Sequence, residues 1–322
     1  MQRETAVGAA SGSYSVPGAR ARRAWLSRQG LTWLRVVVLV LGAFIFAIPI
    51  LWMLSTSLKD ISEIFRYPPD IIPRELVFQN YVDAFMAKPQ ATNMDTANEI
   101  GGQLPPLVSW TINTLLVAVV VIVGSVFSNS LIAFGFGRLR FVGRDIAFFA
   151  MLATMMLPSQ VTIIPIFIMF NGWGWVDTYL PLTVPAFFGS AWLTFLLRQY
   201  IMTLPLELDD AARIDGCSTF GIFWRLVLPM SRPILVTIAL FSFAGVWNDY
   251  FGPLIYLTSR ERWTISLGLS NFTALQYGPD TKITPYNLVM AASLIVSLPM
   301  ILIFFFFQGT FVRSVVLSGL KA

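Results

Sequence analysis

The chemistry open to this chain is narrow, and two polar clusters hold most of it. The sequence has no histidine, which removes the usual metal ligand, the usual neutral-pH acid and base, and the Ser-His and Cys-His nucleophile pairs. A single cysteine, Cys217, excludes an intrachain disulfide and any Cys-based metal cluster. No catalytic residue and no metal site are expected. The first cluster is Glu207, Asp209, Asp210 and Asp215, four of the 17 acidic residues, in the string LPLELDDAARIDGCSTFGIFWRLVLPMSRP (204–233). The second is Trp247-Asn248-Asp249-Tyr250. Aromatic faces beside an amide and a carboxylate are what a sugar site uses. Equally, Asn248 could bond a neighbouring helix, and Trp247 and Tyr250 could belong to an interfacial aromatic belt.

The acidic cluster implies its own scaffold. Pro205 suits a helix start, where no N–H is missed. Glu207, Asp209 and Asp210 then occupy the first turns, where negative charge is favoured, and Arg213 lies toward the other end. Gly216 is placed to take the left-handed conformation that closes a helix. Ser218 or Thr219 can cap a second helix that ends near Pro229. Two short helices with a glycine elbow are therefore expected. They make either a rigid knob on which a soluble partner could push or an amphipathic segment lying on a membrane surface.

The elements that must carry these clusters are membrane spans. Of 322 residues, 56% are hydrophobic and 12% charged, with a mean hydropathy of +0.70. Soluble domains run near 25% charged, so a soluble, disordered or collagen-like chain is excluded. Six apolar stretches, roughly 33–58, 109–135, 145–171, 181–203, 233–258 and 287–311, each exceed the ~20 residues needed to cross a bilayer. A β-barrel would need ten-residue alternating segments, which are not seen. Fifteen of the 22 Lys and Arg residues fall on one side of these spans, with both termini, and that side is expected to be cytoplasmic. The net charge of +5 reflects these anchoring arginines, and no clustered basic face suits nucleic acid. Residues 1–30 read as a disordered cytosolic tail ahead of an uncleaved first span. The long outer loop, about 59–108, has either some order and a partner or the role of a solvated connector, and its part 88–102 reads as mobile.

A resemblance adds to this. Asp210-Ala211-Ala212, three residues, Gly216, nine residues, then Leu226-Val227-Leu228-Pro229 resembles the EAA loop of ABC-importer permeases, with Asp for Glu and Leu for Ile. ELDDAARIDG (207–216) is similar to the form in carbohydrate importers of the maltose-permease type. SLKDISEIFRYPPDIIP (57–73), NTLLVAVV (113–120), FGRLRFVGRD (136–145), LPSQVTIIP (157–165), WVDTYLPLTVP (175–185), WNDYFGPLIY (247–256) and SGLKA (318–322) also resemble family stretches, in the right order.

The resemblance implies an all-α membrane protein: a six-helix type I ABC importer transmembrane domain over 31–322, with a cytoplasmic coupling helix in the loop 204–232. It implies a bacterial or archaeal plasma (inner) membrane and a lipid bilayer around the chain. The partners implied are a second, homologous permease, two ATP-binding subunits and an extracytoplasmic substrate-binding protein that delivers a sugar ligand. Glu207, Asp210, Ala211, Ala212 and Gly216 would dock on the ATPase, Asp210 giving the acidic contact, the alanines close approach and Gly216 the elbow. The tail around Ser318 to Lys321 would also touch an ATPase. No G-x-x-x-x-G-K-[ST] loop is present, so the chain is expected to be a transport subunit, not an enzyme, with ATP and Mg held by its partners.

Polar residues inside spans are costly and are candidates for the transport path: Asn113, Ser128, Asn129, Gln160, Asn248 and Asp249, with Trp247 to Tyr250 the best cluster. Other readings are an importer for another polar solute such as glycerol phosphate, or an ion-coupled secondary transporter. The latter would want embedded carboxylate or histidine relays. Asp249 is the only acid well inside a span.

Overall fold

The computed structural model describes residues 19–86, 104–272 and 285–319, with side chains for 32–86, 104–158, 160–272 and 285–309. Most of the expected tail, the stretch 88–102 and the last three residues lie outside the described residues. The chain divides into two compact units, Met1–Leu54 and Ser55–Ala322. The described part of the first is helix α1 (Ala19–Ser57) as far as Leu54. It begins well before the apolar run, so positions 19–30 of the expected tail form its first turns.

In the second unit, Asp60 caps α2 (Ile61–Ile64), its carboxylate accepting from the Ser62 N–H at 2.9 Å. α3 (Gln79–Met86) follows, so the outer loop has order of its own. Asn80 holds that order: its buried amide donates to Ser57 O and Lys59 O and accepts from Asn287. Then come α4 (Pro106–Arg138), α5 (Arg144–Ala153), α6 (Ser159–Gly172), α7 (Leu180–Thr183) and α8 (Ala191–Thr203). The chain ends with α9 (Glu207–Ile214), α10 (Thr219–Ile222), α11 (Arg232–Asn248), α12 (Phe251–Tyr256), α13 (Ile265–Ser270) and α14 (Tyr286–Gly319).

Among the described residues, four segments are long and apolar enough to cross a membrane: Thr32–Ser57, Pro106–Arg138, Leu180–Thr203 and Tyr286–Gly309. The count reaches six if Arg144–Met156 with Gln160–Gly172, and Thr219–Met230 with Arg232–Asn248, are each one bent span. The expected span over 145–171 is thus broken, with a bend of 99°. Pro158 has no N–H to donate and drives Leu157 into the extended region (ψ 118°), which stops α5's turn and restarts the chain as α6. The expected span 233–258 stops at Asn248, because Asp249 is extended (ψ 115°) before α12 begins. The fourth span is irregular too, passing through a 3-10 turn at Val184–Phe188 and Gly189 at φ +86°.

α4 organises the unit. Its buried face runs Leu107, Trp110, Thr114, Val117, Ala118, then Gly124, Ser125, Ser128, Asn129, Ala133, Phe134 and Arg138, the three-and-four spacing of one helical side. The first part packs in a core with Phe243, Trp247, Ile265, Phe272, Leu288, Ala291 and Ala292. The last part packs in a second core with Leu193, Leu197, Ile201, Ile222, Phe223, Val227, Ile234 and Ile238. α11 contributes to both cores, so α4 and α11 are the two posts that join them.

Two glycines test this packing. A Cβ on Gly268 would lie 2.1 Å from the buried Trp110 ring, whereas one on Gly245 would meet nothing within 4 Å. Gly268→Ala is expected to cost about 1–3 kcal/mol by overpacking. Gly245→Ala should be neutral or mildly stabilising. Thermal unfolding in detergent checks both, and equal midpoints for the two variants would show that the α4–α13 seam is not close-packed.

Candidate functional site

The acidic segment folds as its local chemistry dictates. Pro205 and Leu206 precede α9, and the Leu206 carbonyl accepts from the N–H groups of Asp209 and Asp210 at 3.0 and 3.1 Å. At the other end, Gly216 N donates to Arg213 O at 3.0 Å and Cys217 N to Ala212 O at 2.9 Å. That pair of bonds is the Schellman closure, and it needs its central residue at positive φ, which Gly216 supplies at +80°. The space around Gly216 is open, so backbone conformation, not crowding, selects glycine there. Ser218 then caps α10, its hydroxyl accepting from the Gly221 N–H at 3.1 Å. Beyond α10 the helix widens into a π turn over Phe223–Val227, with the Leu228 N–H reaching back to Phe223 O. Pro229, which has no N–H for the usual i−4 bond, follows at once and accounts for the widening.

The elbow has two faces. Inward, Ile222, Phe223 and Val227 are buried, with the Phe223 ring 5.2 Å from Phe134 of α4, and Ala212 and Cys217 pack partly against the same core. Outward, Glu207, Asp210, Ala211, Ile214, Asp215 and Gly216 are exposed. So are Phe220 and Trp224, whose rings stack at 6.3 Å and 16°. Of the expected docking residues, the structure therefore brings Glu207, Asp210, Ala211 and Gly216 to one open surface and turns Ala212 partly inward. It adds the exposed apolar side chains Ile214, Phe220 and Trp224, which the sequence reading missed. The signal was the i, i+4 spacing of Phe220 and Trp224, readable only once exposure is known.

Adjacent acids take different roles. Asp210 is exposed and pairs with Arg213 at 3.3 Å across one turn. Asp209 points the other way: its side chain is 6% exposed, its Oδ2 lies 3.6 Å from Nε of Arg138, and Arg138, 2% exposed, also donates from Nη2 to Leu204 O at 3.0 Å. The last residue of α4 is thereby held to the elbow.

The second cluster does not form one surface. Trp247 is 3% exposed, stacked on Phe243 at 5.3 Å, and donates from its indole N–H to Val296 O of α14 at 3.1 Å. Asp249 turns back to accept from the Gly252 N–H at 3.0 Å and starts α12. Asn248 bonds Ala244 O on its own helix, and its side chain and that of Tyr250 are the exposed members. The other polar span residues tie helices together. Ser128 donates to Ala186 O at 2.9 Å, and Asn129 accepts from the Ser190 N–H and the Thr194 hydroxyl. Asn113 donates to Glu261 O and Trp263 O. Gln160 lies in the first turn of α6.

At the opposite end from the elbow, Asp177 (φ +59°) is a hub that the sequence reading also missed. Its N–H donates to Tyr256 O at 2.7 Å, and its Oδ1 accepts from the N–H groups of Thr258 and Ser259 at 3.0 and 2.8 Å. Its Oδ2 accepts from the Ser259 hydroxyl and from Arg262 Nη1. The Ser259 hydroxyl, followed by the Ser259 N–H, lowers the carboxyl to about 2.

Apolar helices of spanning length, two pairs of them bent, with a capped, two-faced elbow define a multi-span membrane component. The chain belongs to the family described as the binding-protein-dependent transport system inner membrane component, whose pattern it matches over residues 129–317. It is 32% identical over 281 residues to the arabinooligosaccharides transport system permease protein AraQ of Bacillus subtilis (strain 168), covering 87% of this chain and 92% of that one. It is 29% identical over 290 residues to the sn-glycerol-3-phosphate transport system permease protein UgpE of Yersinia pestis, covering 90% and 98%. A chain of a bacterial ABC transporter involved in the import of the acidic polysaccharide alginate shares the fold, with a TM-score of 0.71, 20% identity, and 88% and 97% of the two chains covered.

The Asp177 hub has a pH signature. Its folded-state value, about 2, is below the usual 3.8, so its contribution is complete above about pH 4 and is lost as pH falls through about 2. Asp177→Asn should lower the thermal midpoint near neutrality, and the gap to the parent should shrink as pH falls from about 5 to 2. A gap that stays constant over that range would show that the carboxylate charge contributes nothing.

Proposed function

We propose that the chain is a permease subunit of an ATP-driven, binding-protein-dependent importer of a sugar, an oligosaccharide or sugar derivative. The single observation behind the energy-coupling role is the elbow: a rigid, capped helix pair rooted in the core by Ile222, Phe223 and Val227 while presenting acids and stacked aromatics outward. Such a body can receive force from a soluble partner without deforming. In this reading six spans cross a bacterial plasma membrane with both termini inside, and α9 is the coupling helix. Two ATP-binding subunits dock on it, and they, not this chain, hold ATP and Mg.

Glu207 and Asp210 meet basic groups of the ATPase, Ala211 permits close approach, Ala212 seats the helix and Gly216 sets the elbow. Ile214, Phe220 and Trp224 fill the apolar part of the contact. A second, homologous permease completes the path, and an extracytoplasmic binding protein supplies the ligand. Asn248 and Tyr250 face the path, held by Trp247 and Asp249. The assignment to sugars draws on the name of the arabinooligosaccharide relative. The glycerol-phosphate relative, at similar coverage, supports import of a phosphorylated polyol as the second reading.

Asp210→Lys or Gly216→Pro should abolish ATP-dependent uptake in a reconstituted assembly while the chain still inserts. Trp224→Ala should weaken recovery of the ATP-binding subunits on purification. Parental uptake with either of the first two variants would remove α9 from energy coupling. Solute identity is read separately, by calorimetry of the cognate binding protein with oligosaccharides and with glycerol 3-phosphate.

A further inference from the structure

The Arg138–Asp209 pair is buried yet incompletely bonded. Nε of Arg138 and Oδ1 of Asp209 both lie inside the protein without a hydrogen-bond partner, and the 3.6 Å separation of Nε from Oδ2 is too long for a charge-assisted hydrogen bond. A pair of this kind is a poor choice for stability alone, because apolar residues of similar volume usually serve as well or better. Its position gives it another use. Asp209 sits in the first turn of α9, and Arg138 is the last residue of α4, the 33-residue post that runs through both cores.

At 1.5 Å per residue α4 is roughly 50 Å long. Its far end is hydrogen-bonded. Asn113 donates to Glu261 O and Trp263 O, and the Thr114 hydroxyl accepts from the Ile265 N–H at 2.8 Å. The segment thus gripped, Glu261 to Ile265, contains Arg262, the partner of Asp177. One ion pair and a set of hydrogen bonds therefore connect α9 at one end of the molecule to the 258–265 segment at the other, with α4 as the connecting member.

We propose that Arg138 and Asp209 are positioning residues for energy coupling: displacement of α9 reaches α4 through their ion pair, which closes in one state of the transport cycle and opens in the other. This rests on α9 being the ATPase contact. The unused donor and acceptor fit such a joint, since a shift of under 1 Å would convert the 3.6 Å approach into a hydrogen bond of ordinary length. Neither residue reaches the outward face of the elbow, so the pair carries the motion inward and takes no part in docking itself.

The test uses the whole assembly in proteoliposomes, with recovery of the ATP-binding subunits, ATP hydrolysis and solute uptake measured together. Asp209→Asn should leave subunit recovery and hydrolysis within about twofold of the parent while uptake per ATP hydrolysed falls about tenfold, the scale of a typical coupling free energy. The double variant Arg138→Met/Asp209→Leu removes both charges, leaves no buried ion unpaired, and covers the case in which Asp209→Asn fails to accumulate. It should assemble and hydrolyse ATP but remain uncoupled. Parental uptake per ATP in the double variant would overturn the proposal, and so would a parallel fall in assembly, hydrolysis and uptake, because both outcomes describe a pair that only supports the fold. Failure of the docking reading looks different: Asp210→Lys would then leave subunit recovery and uptake at the parental level.

Discussion

The structure depends on the burial of one side of α4 in two stretches, Leu107 to Ala118 and Gly124 to Arg138. A helix of 33 residues with a buried face from Leu107 to Arg138 cannot rotate about its axis or slide by a residue without exposing that face. The elements that share its two cores are fixed by how they meet this post. α11 lies along it, α8 and the π turn close over its last turns, and α3, α13 and α14 close over its first turns. The chemistry of the face changes along its length. Large apolar groups occupy the ends, while Gly124, Ser125, Ser128 and Asn129 occupy the middle. Small and polar groups there let the backbone of the fourth span come close, which lipid-facing helices achieve without any hydrophobic drive of their own.

That middle section explains how the fourth span can be irregular at membrane depth. Non-helical backbone in hydrocarbon is tolerated only where the protein itself satisfies the freed groups. Here it does. Ser128 takes up Ala186 O, and Asn129 takes up Ser190 N and the Thr194 hydroxyl, on either side of Gly189. Gly189 is favoured by its φ of +86°, and an added Cβ would also displace the Ile132 side chain, whose Cδ1 would lie 2.4 Å away. Side chains that look like ligand groups in a hydropathy plot are here the hydrogen-bond partners of a neighbouring broken helix.

What could be read from the sequence was what local rules decide. The Gly216 closure and the Ser218 cap each act within a few residues and stand where the spacing put them, while the helix expected to start at Pro205 starts two residues later, at Glu207. The spans were legible because hydrophobic length is a local property. Breaks inside them were legible only as prolines, since whether Pro158 kinks a helix or ends it depends on what satisfies the backbone around it. Tertiary burial was not legible. Asp209 and Asp210 are adjacent and chemically alike, and nothing in the string ELDDAARIDG says that the first turns toward Arg138 and the second toward solvent. The same limit applied to Trp247, whose motif suggests a surface but whose ring lies in the core between α4, α11 and α14.

The alternation of roles along α9 follows from helical geometry. Successive residues are turned about 100° from one another, so a short helix lying against a core must send neighbours to different environments. Asp209 and Ala212, three apart, fall on the side that meets α4 and the second core, while Glu207, Asp210, Ala211 and Ile214 fall outside it. One inward acid suffices to tie the helix to Arg138. A second would have no cation to meet, since Arg213 faces out with Asp210. The outer acids therefore do not stabilise the fold through buried contacts, and the exposed i, i+3 pair between them contributes little in water. Four acids in nine residues form one structural carboxylate and an open acidic face, and an exposed apolar ridge at Phe220 and Trp224 lies beside that face.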